Sequence, residues 1–220
     1  MKKKIYLVID CSSSSIFTGI LDHENKWRSH IRREGTVLEN LFTAIEATIQ
    51  DAGIKLSDLS GFIYCEGPGS ILGLRLCAMA IETWRRLYPN CNELFKYNSL
   101  QLNALVLLQD NADLKDALIV SDWKKGAWNS IQIKAALPQE IVVIDDDTLT
   151  SWSGKVYHLP QRKGWQRPPP KAQTILHSPE RIAELRLDTD LLKVIDQVEI
   201  YNNAVNIFQK WTPMIHGKKA

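Results

Sequence analysis

Residues 66–77 read EGPGSILGLRLC, three glycines and a proline set between an apolar run at 61–65 and an apparent helix. Phosphate-binding loops of α/β proteins occupy this position, because backbone amides at a helix start can hold an anion. A P-loop, however, requires GxxxxGK[ST], so that a lysine reaches the phosphates and a hydroxyl holds magnesium. Here only three residues separate Gly69 from Gly73, and Leu74-Arg75 follow. The dinucleotide form GxGxxG is missed too, with one residue too many after Gly69. A structural role uses more of the signature loop: Gly67 and Gly69 permit a sharp turn that Pro68 stiffens, Ser70 is a good N-cap, and Gly73 leaves a notch for another backbone.

Other residues invite chemistry. Asp10 ends the apolar run 5–9, so Asp10, Ser12 and Ser13 are candidates for a residual nucleotide contact, although the turn they open holds no glycine to let amides approach a phosphate. The five histidines, His23, His30, His158, His177 and His216, include no pair four apart, which excludes a metal site of the HxxxH kind; each reads as a single surface residue. Asp145-Asp146-Asp147 reads as a solvated loop after a strand, since adjacent carboxylates rarely point the same way. Ser70 lacks a GxSxG elbow. No catalytic residue and no metal ligand is assigned. Residues 155–171 carry Lys155, Arg162, Lys163, Arg167 and Lys171 and no acid, with Tyr157 and Trp165 interleaved. Lys155, Arg162, Lys163, Trp165, Arg167 and Lys171 are therefore candidate RNA contacts, against the plainer alternative of a solvated basic loop.

The elements that must position these residues follow from hydrophobic period. Runs at 5–9, 16–21 and 27–32 read as three consecutive strands. From Thr36 the period changes, with Leu38, Leu41, Ile45 and Ile49 forming a helical stripe that Gly53 ends. A strand at 61–66, a helix at 70–88, a strand at 94–97 and a helix from Asn98 or Ser99 to 108 complete a mixed sheet with helices packed on it. A second unit begins near 117, with strands at 118–121, 128–134, 141–144 and 155–159. Pro179 opens a helix through 187, and 205–215 carries no clear pattern. The domains are an N-terminal lobe, 1–108, and a smaller C-terminal lobe, 109–220. No repeat of fixed period occurs, though a β-rich second part allows a weak duplication.

Composition bounds the class. The 220 residues are 45% hydrophobic and 24% charged with a net charge of +2, so no global field marks a nucleic-acid or membrane binder. The four cysteines form no CxxC pair and sit in apolar segments, which suits reduced, buried thiols. The start MKKKIYLVID has too short an apolar run for a signal peptide, and no stretch reaches membrane-spanning length, so a cytoplasmic protein without a membrane partner is expected.

Between 71 and 81 every residue except Gly73 and Arg75 is apolar, on all sides of the helix. One face must pack on the sheet and the other needs a cover. The preceding helix is also broadly apolar. Leu38, Leu41, Phe42, Ile45, Ile71, Leu72, Leu74, Arg75, Leu76 and Met79 are the expected interface with a partner subunit.

The segment GPGS-x-x-GLR resembles the GPGSFTGLRIG signature of the TsaB (YeaZ) family of tRNA threonylcarbamoyladenosine (t6A) biosynthesis proteins. MKKKIYLVIDCSSSS is similar to the family's opening ILALDTST, YNSLQLNAL to its SSLEALA helix, and ALIVSDWKKGAWN to its strand and hairpin. The copy is divergent: Ile71-Leu72 replaces Phe-Thr, Cys77 replaces a glycine, and Trp123-Lys124-Lys125 follows Asp122 in place of Ala-Arg. The resemblance implies an actin-like (ribonuclease H-like, ASKHA) two-lobed α/β fold and a non-catalytic scaffold of t6A modification. It implies pairing through the helices at about 37–50 and 70–88, as a homodimer or with a TsaD-type catalytic subunit. A TsaE-type ATPase is the further partner and tRNA a weak or indirect one. It implies no cofactor of the chain's own, any ATP, ADP or magnesium lying at a shared or partner site. Two alternatives stand beside it: an ATP-binding, kinase-like enzyme on the same fold, and an offshoot with a different protein partner.

Overall fold

The computed structural model describes residues 3–160, 167–185 and 190–201. The elements run β1 (Ile5–Asp10), β2 (Ser15–Asp22), β3 (Trp27–Glu34), α1 (Val37–Asp51), β4 (Gly61–Gly67), α2 (Ile71–Leu87), β5 (Glu93–Asn98), α3 (Ser99–Asp110), β6 (Ala117–Lys124), β7 (Ala127–Lys134), β8 (Leu137–Asp145), α4 (Asp146–Ser151), β9 (Lys155–Leu159), β10 (Gln173–Thr174), α5 (Ile182–Leu185) and β11 (Lys193–Val194). The order expected for the first hundred residues, three strands and then alternating helices and strands, is the order found.

Two sheets form, β11-β5-β4-β1-β2-β3 and β10-β9-β6-β7-β8. In the first, β1 runs antiparallel to β2 and parallel to β4, and β4 runs parallel to β5. In the second, β6 stands in the same relation to β7 and β9, and β9 to β10. The five strands β5-β4-β1-β2-β3 thus correspond one for one with β10-β9-β6-β7-β8. The chain carries a structural duplication that residue identities do not display. Asp10 and Asp122 are each the sixth residue of the corresponding strands β1 and β6.

Residue types explain the layers. β1 is buried along its whole length because both faces of the sheet are covered, and IYLVI supplies apolar residues in unbroken sequence. β3 alternates between half-buried and exposed, as an edge strand with one covered face does. On one side of the sheet α1 buries Leu41, Ala44 and Ile45 against Leu7, Ile9, Ile16 and Ile20. α2 adds Cys77 and Ile81 to the same cluster. Gly53 ends α1 with φ +64, the left-handed geometry expected of it. α3 lies between the two sheets: Leu102 and Val106 join the first core, and Leu100 and Ala104 the second. Past β10 the chain returns to the first sheet, where Ile182, Leu185 and Leu191 complete its second face and β11 pairs with β5. That return segment lies within 109–220, the stretch read from sequence as the second lobe. Among the described residues no helix is long and apolar enough to cross a membrane.

Three expectations need correction. Asp145 to Asp147 are not a loop: Asp145 accepts the Thr148 amide at 2.8 Å as the N-cap of α4, and Asp146 accepts the Trp128 indole at 2.7 Å. The helix opened by Pro179 is a single 3-10 turn, Pro179–Arg181, followed by the short α5; of its expected span, 186–187 lie outside the described residues, as do 205–215. His158 and His177 are buried, at 2% and 8% exposure, not at the surface. Each faces a carboxylate through Nε2; for His177 the Asn103 amide engages the other nitrogen, whereas His158 Nδ1 is buried without a hydrogen-bond partner among the described residues.

Candidate functional site

The glycine loop packs on protein. The Ser70 amide donates to the Ser12 carbonyl at 2.9 Å, tying the loop to the turn after β1. A Cβ on Gly69 would stand 2.2 Å from the Ser12 carbonyl oxygen, and one on Gly73 would stand 2.4 Å from that of Cys11. Real Cβ atoms do not approach backbone so closely, so both glycines exist to let the start of α2 lie against residues 11–12. The Ser70 hydroxyl accepts the Gly73 amide at 3.5 Å, a long cap. The expected turn, cap and notch are all present, and the notch is filled by the backbone at Cys11.

Asp10, at the C-terminal end of β1, is the centre of a buried polar cluster. Its Oδ1 accepts the Ser12 amide at 2.8 Å and the Ser12 hydroxyl at 2.7 Å. Its Oδ2 accepts the Tyr97 hydroxyl and stands 2.7 Å from His177 Nε2. The Asn103 amide nitrogen donates to the Ser99 carbonyl at 2.7 Å and to His177 Nδ1 at 2.8 Å. Since Nδ1 accepts, the proton of the imidazole sits on Nε2 and points at Asp10. Burial alone pushes the Asp10 carboxyl up, but the neighbouring His177 and the hydrogen bonds from His177, Tyr97 and Ser12 outweigh it and hold the group well below the ordinary range. The same carboxylate and burial push the Tyr97 hydroxyl up, so it stays a donor.

His177 comes from the segment that follows β10 of the second sheet. Its carbonyl accepts from Arg32 at 3.0 Å, Arg32 pairs with Glu180 at 2.6 Å, and the Trp27 indole donates to the Glu180 carbonyl at 2.9 Å. The return segment is thereby fastened to β3 and closes over the end of β1. Of the expected nucleotide contacts, Asp10 and Ser12 lie inside this cluster and Ser13 is half-buried, bonded to the Ser15 carbonyl.

Cys65 brings its thiol into the same cluster: one ligand atom each of Asp10, Cys65 and His177 lie within 4.8 Å of one another. Burial pushes the Cys65 thiol well up. A divalent ion there would have to take the Cys65 proton and displace hydrogen bonds that already satisfy Asp10 and His177. In the second sheet Asp122, the counterpart of Asp10, also faces a histidine, His158 of β9, whose Nε2 lies 3.3 Å from Asp122 Oδ1. Sequence reasoning missed both histidine pairs, whose partners lie 36 and 167 residues apart; no local spacing could have flagged them.

The residues expected at an interface separate by burial. Leu38, Phe42, Ile71, Leu72 and Met79 are exposed at 62%, 50%, 56%, 57% and 68%. Arg75 is exposed beside them and Leu76 is half-buried. Leu41, Ile45 and Leu74 are in the core at 3% or less, because they lie on the sides of α1 and α2 that meet the sheet. They support the surface without forming it. Phe42 meets Trp84 edge to face at 6.2 Å, and Trp84 stacks on Phe62 in the core at 5.9 Å, so the two helices present one joined face. A pocket of about 690 Å³ opens between their first turns, lined by Val37, Leu38, Leu72 and Gly73 among others. Of the expected RNA contacts, Lys155, Arg167 and Lys171 are exposed, while Arg162, Lys163 and Trp165 lie outside the described residues.

Comparison with known proteins bears on this arrangement. Residues 36–105 match the family model described as TsaD: tRNA N6-adenosine threonylcarbamoyltransferase. An uncharacterised protein of Mycoplasma genitalium is 29% identical over 101 residues, 44% of this chain and 51% of that protein. The chain thus spans about half the length of the curated relative it matches. Among solved structures, YeaZ from Pseudomonas aeruginosa superposes with a TM-score of 0.59 at 15% identity, over 83% of this chain and 93% of that one. A second, a protein with similarity to peptidase YeaZ from Pseudomonas aeruginosa, gives 0.62 at 14% identity, over 90% and 99%. The matched segment 36–105 spans α1, the glycine loop and α2, where the interlocked glycines and the exposed apolar face both lie. Over residues 36–105 the chain is thus similar to the TsaD family model, and its two duplicated sheets have the actin-like α/β fold of YeaZ.

Proposed function

We propose that the chain is a non-catalytic partner subunit of the tRNA t6A machinery, pairing with itself or with a TsaD-type subunit through the face shared by α1 and α2. The observation that carries this reading is the set of five large, half to two-thirds exposed apolar side chains on two adjacent helices, within the segment that matches the TsaD model. Fully burying one exposed side chain of this kind gains about 1.5–3 kcal/mol, so these five, partly covered already, supply about 4–9 kcal/mol from this side of the interface. Association costs about 4–15 kcal/mol, so the partner must bring an apolar face of its own. A TsaE-type ATPase and tRNA are further partners in this reading, and any ATP, ADP or magnesium belongs to a shared or partner site.

The non-catalytic part rests on Asp10. Both its oxygens are engaged by protein donors and the return segment covers it, which leaves no free carboxylate at the strand end for a magnesium–phosphate group. The rival reading, an ATP-binding enzyme, requires that cluster to open; calorimetric titration with Mg-ATP measures it directly. The t6A content of tRNA from a strain lacking this chain tests the role: loss of t6A is expected, and unchanged t6A would leave a protein with this fold and a different partner.

A further inference from the structure

A second surface lies in the other half of the molecule, on the far side of β6. Lys125 and Gly126 of the β6–β7 turn, α4, the segment 152–156 and residues 167–171 enclose a pocket of about 920 Å³, within the range of small-molecule sites. Its floor is apolar and aromatic: Trp128, Leu149 and Pro169 are buried, and Trp152 and Val156 half-buried. Its rim is cationic: Lys125, Lys155, Arg167 and Lys171 are all exposed, and among the described residues none of their side chains makes an ion pair or a hydrogen bond. One carboxylate, Asp146, lines the pocket, and its Oδ1 accepts the Trp128 indole at 2.7 Å. Four cations against one acid leave +3 at this mouth, in a chain whose whole net charge is +2. The Trp152 indole nitrogen is buried without a hydrogen-bond partner. Gly154 keeps the space beside it open, since a Cβ there would stand 2.9 Å from that nitrogen.

We infer that this pocket binds single-stranded RNA, with a base against the Trp152 face and backbone phosphates on Lys125, Lys155, Arg167 and Lys171. Unpaired cations around an indole floor are what single-strand binders use, because phosphates need charge and any base offers a face to stack. A simple polyanion would have no use for the aromatic floor. A free nucleoside triphosphate would need a magnesium site and a cradle of backbone amides, and neither α4, with six residues, nor the lone Asp146 provides them. The choice of RNA rests on the t6A reading above; the cation–indole geometry does not. Lys155, Val156 and residues 167–171 form one wall, and the opposite wall, Lys125 with α4 and Trp152, comes from residues whose role only the fold reveals.

The test uses the full chain, without partners, and a fluorescein-labelled single-stranded RNA of about ten nucleotides, followed by anisotropy at several salt concentrations. The triple variant Lys155→Ala/Arg167→Ala/Lys171→Ala should bind at least about tenfold more weakly. Its log–log salt dependence should be flatter by about 2, three lost phosphate contacts at about 0.7 each. Trp152→Phe keeps the packing and stacking surface and should retain most binding; Trp152→Ala should lose about fivefold or more if it folds. Excess ATP should not compete. Equal binding by wild type and triple variant overturns the proposal, as does competition by ATP or by inorganic polyphosphate as effective as by unlabelled RNA. If this chain pairs and supports t6A but fails these tests, only the pocket assignment falls. If it passes them yet neither pairs nor supports t6A, only the scaffold reading falls.

Discussion

Asp10→Asn probes the cluster that closes the end of β1. In the wild type one carboxylate accepts from the Ser12 amide and hydroxyl on one oxygen, and from Tyr97 and His177 on the other. Asparagine keeps one acceptor and turns the second into a donor. With its oxygen towards Ser12, its NH₂ faces the Tyr97 hydroxyl and the His177 Nε2–H. Tyr97 can rotate its proton away, but His177 cannot shift its own to Nδ1, which already accepts from Asn103. At least one buried donor is left unpaired, about 1–3 kcal/mol, and charge-assisted bonds of about 1.5–3 kcal/mol become neutral ones. A total near 3–5 kcal/mol is expected, as for a broken buried pair. For a chain of this size that lowers the melting temperature by about 6–20 °C. The pH dependence fixes the sign. The folded carboxyl is held below its ordinary 3.8, so the unfolded chain binds the proton more readily. The stability Asp10 supplies is then fully present well above that value and is lost progressively as pH falls from about 5. The gap between wild type and Asp10→Asn in urea titrations should be constant at neutral pH and narrow in acid. An Asp10→Asn protein as stable as wild type that instead loses micromolar Mg-ATP binding would refute this, and would make Asp10 a working nucleotide ligand.

Further expectations follow from the same geometry. Gly73→Ala should destabilise by about 1–3 kcal/mol in urea, through the clash with the Cys11 carbonyl, although alanine would ordinarily strengthen a helix; a gain would mean that α2 does not pack on residues 11–12. Ser70→Ala should lose only about 0.5 kcal/mol, because the cap bond is long at 3.5 Å. All four thiols are buried, and burial pushes Cys65 up while the Cys77 hydrogen bond and burial push Cys11 up. A thiol reagent near neutral pH should therefore find none in the folded chain and all four in denaturant. Met79→Glu, at a 68% exposed position, should leave the melting curve of the isolated chain unchanged while weakening association, since only a partner would bury the charge.

What sequence made legible was whatever is written locally. Strand runs, the stripe of α1, the Ser70 cap and the glycine turn each follow from a few consecutive residues, and the structure has them where expected. The helix apolar on all sides pointed to a second covered face, but sequence could not divide Leu41, Ile45 and Leu74 from Leu38, Phe42 and Met79; that division depends on which side of each helix meets the sheet. The duplication was nearly invisible because it is conserved in strand order and direction, not in residue identity. The Asp10–His177 and Asp122–His158 pairs were unreadable for the same reason that a single histidine is uninformative: its partner is chosen by the fold. Asp145 to Asp147 misled because three adjacent acids resemble a solvated loop, whereas one caps α4 and the next holds the Trp128 indole.

The central claim, that the α1–α2 face is a subunit interface, is tested most directly by size-exclusion chromatography with light scattering. The chain is run alone and mixed with the TsaD-type subunit of the same organism, beside Met79→Glu and Phe42→Glu. A dimer alone or a co-eluting complex is expected, lost or weakened in both variants. A wild-type chain that runs as a monomer and ignores the TsaD-type subunit would contradict the account, and so would a complex that neither substitution disturbs.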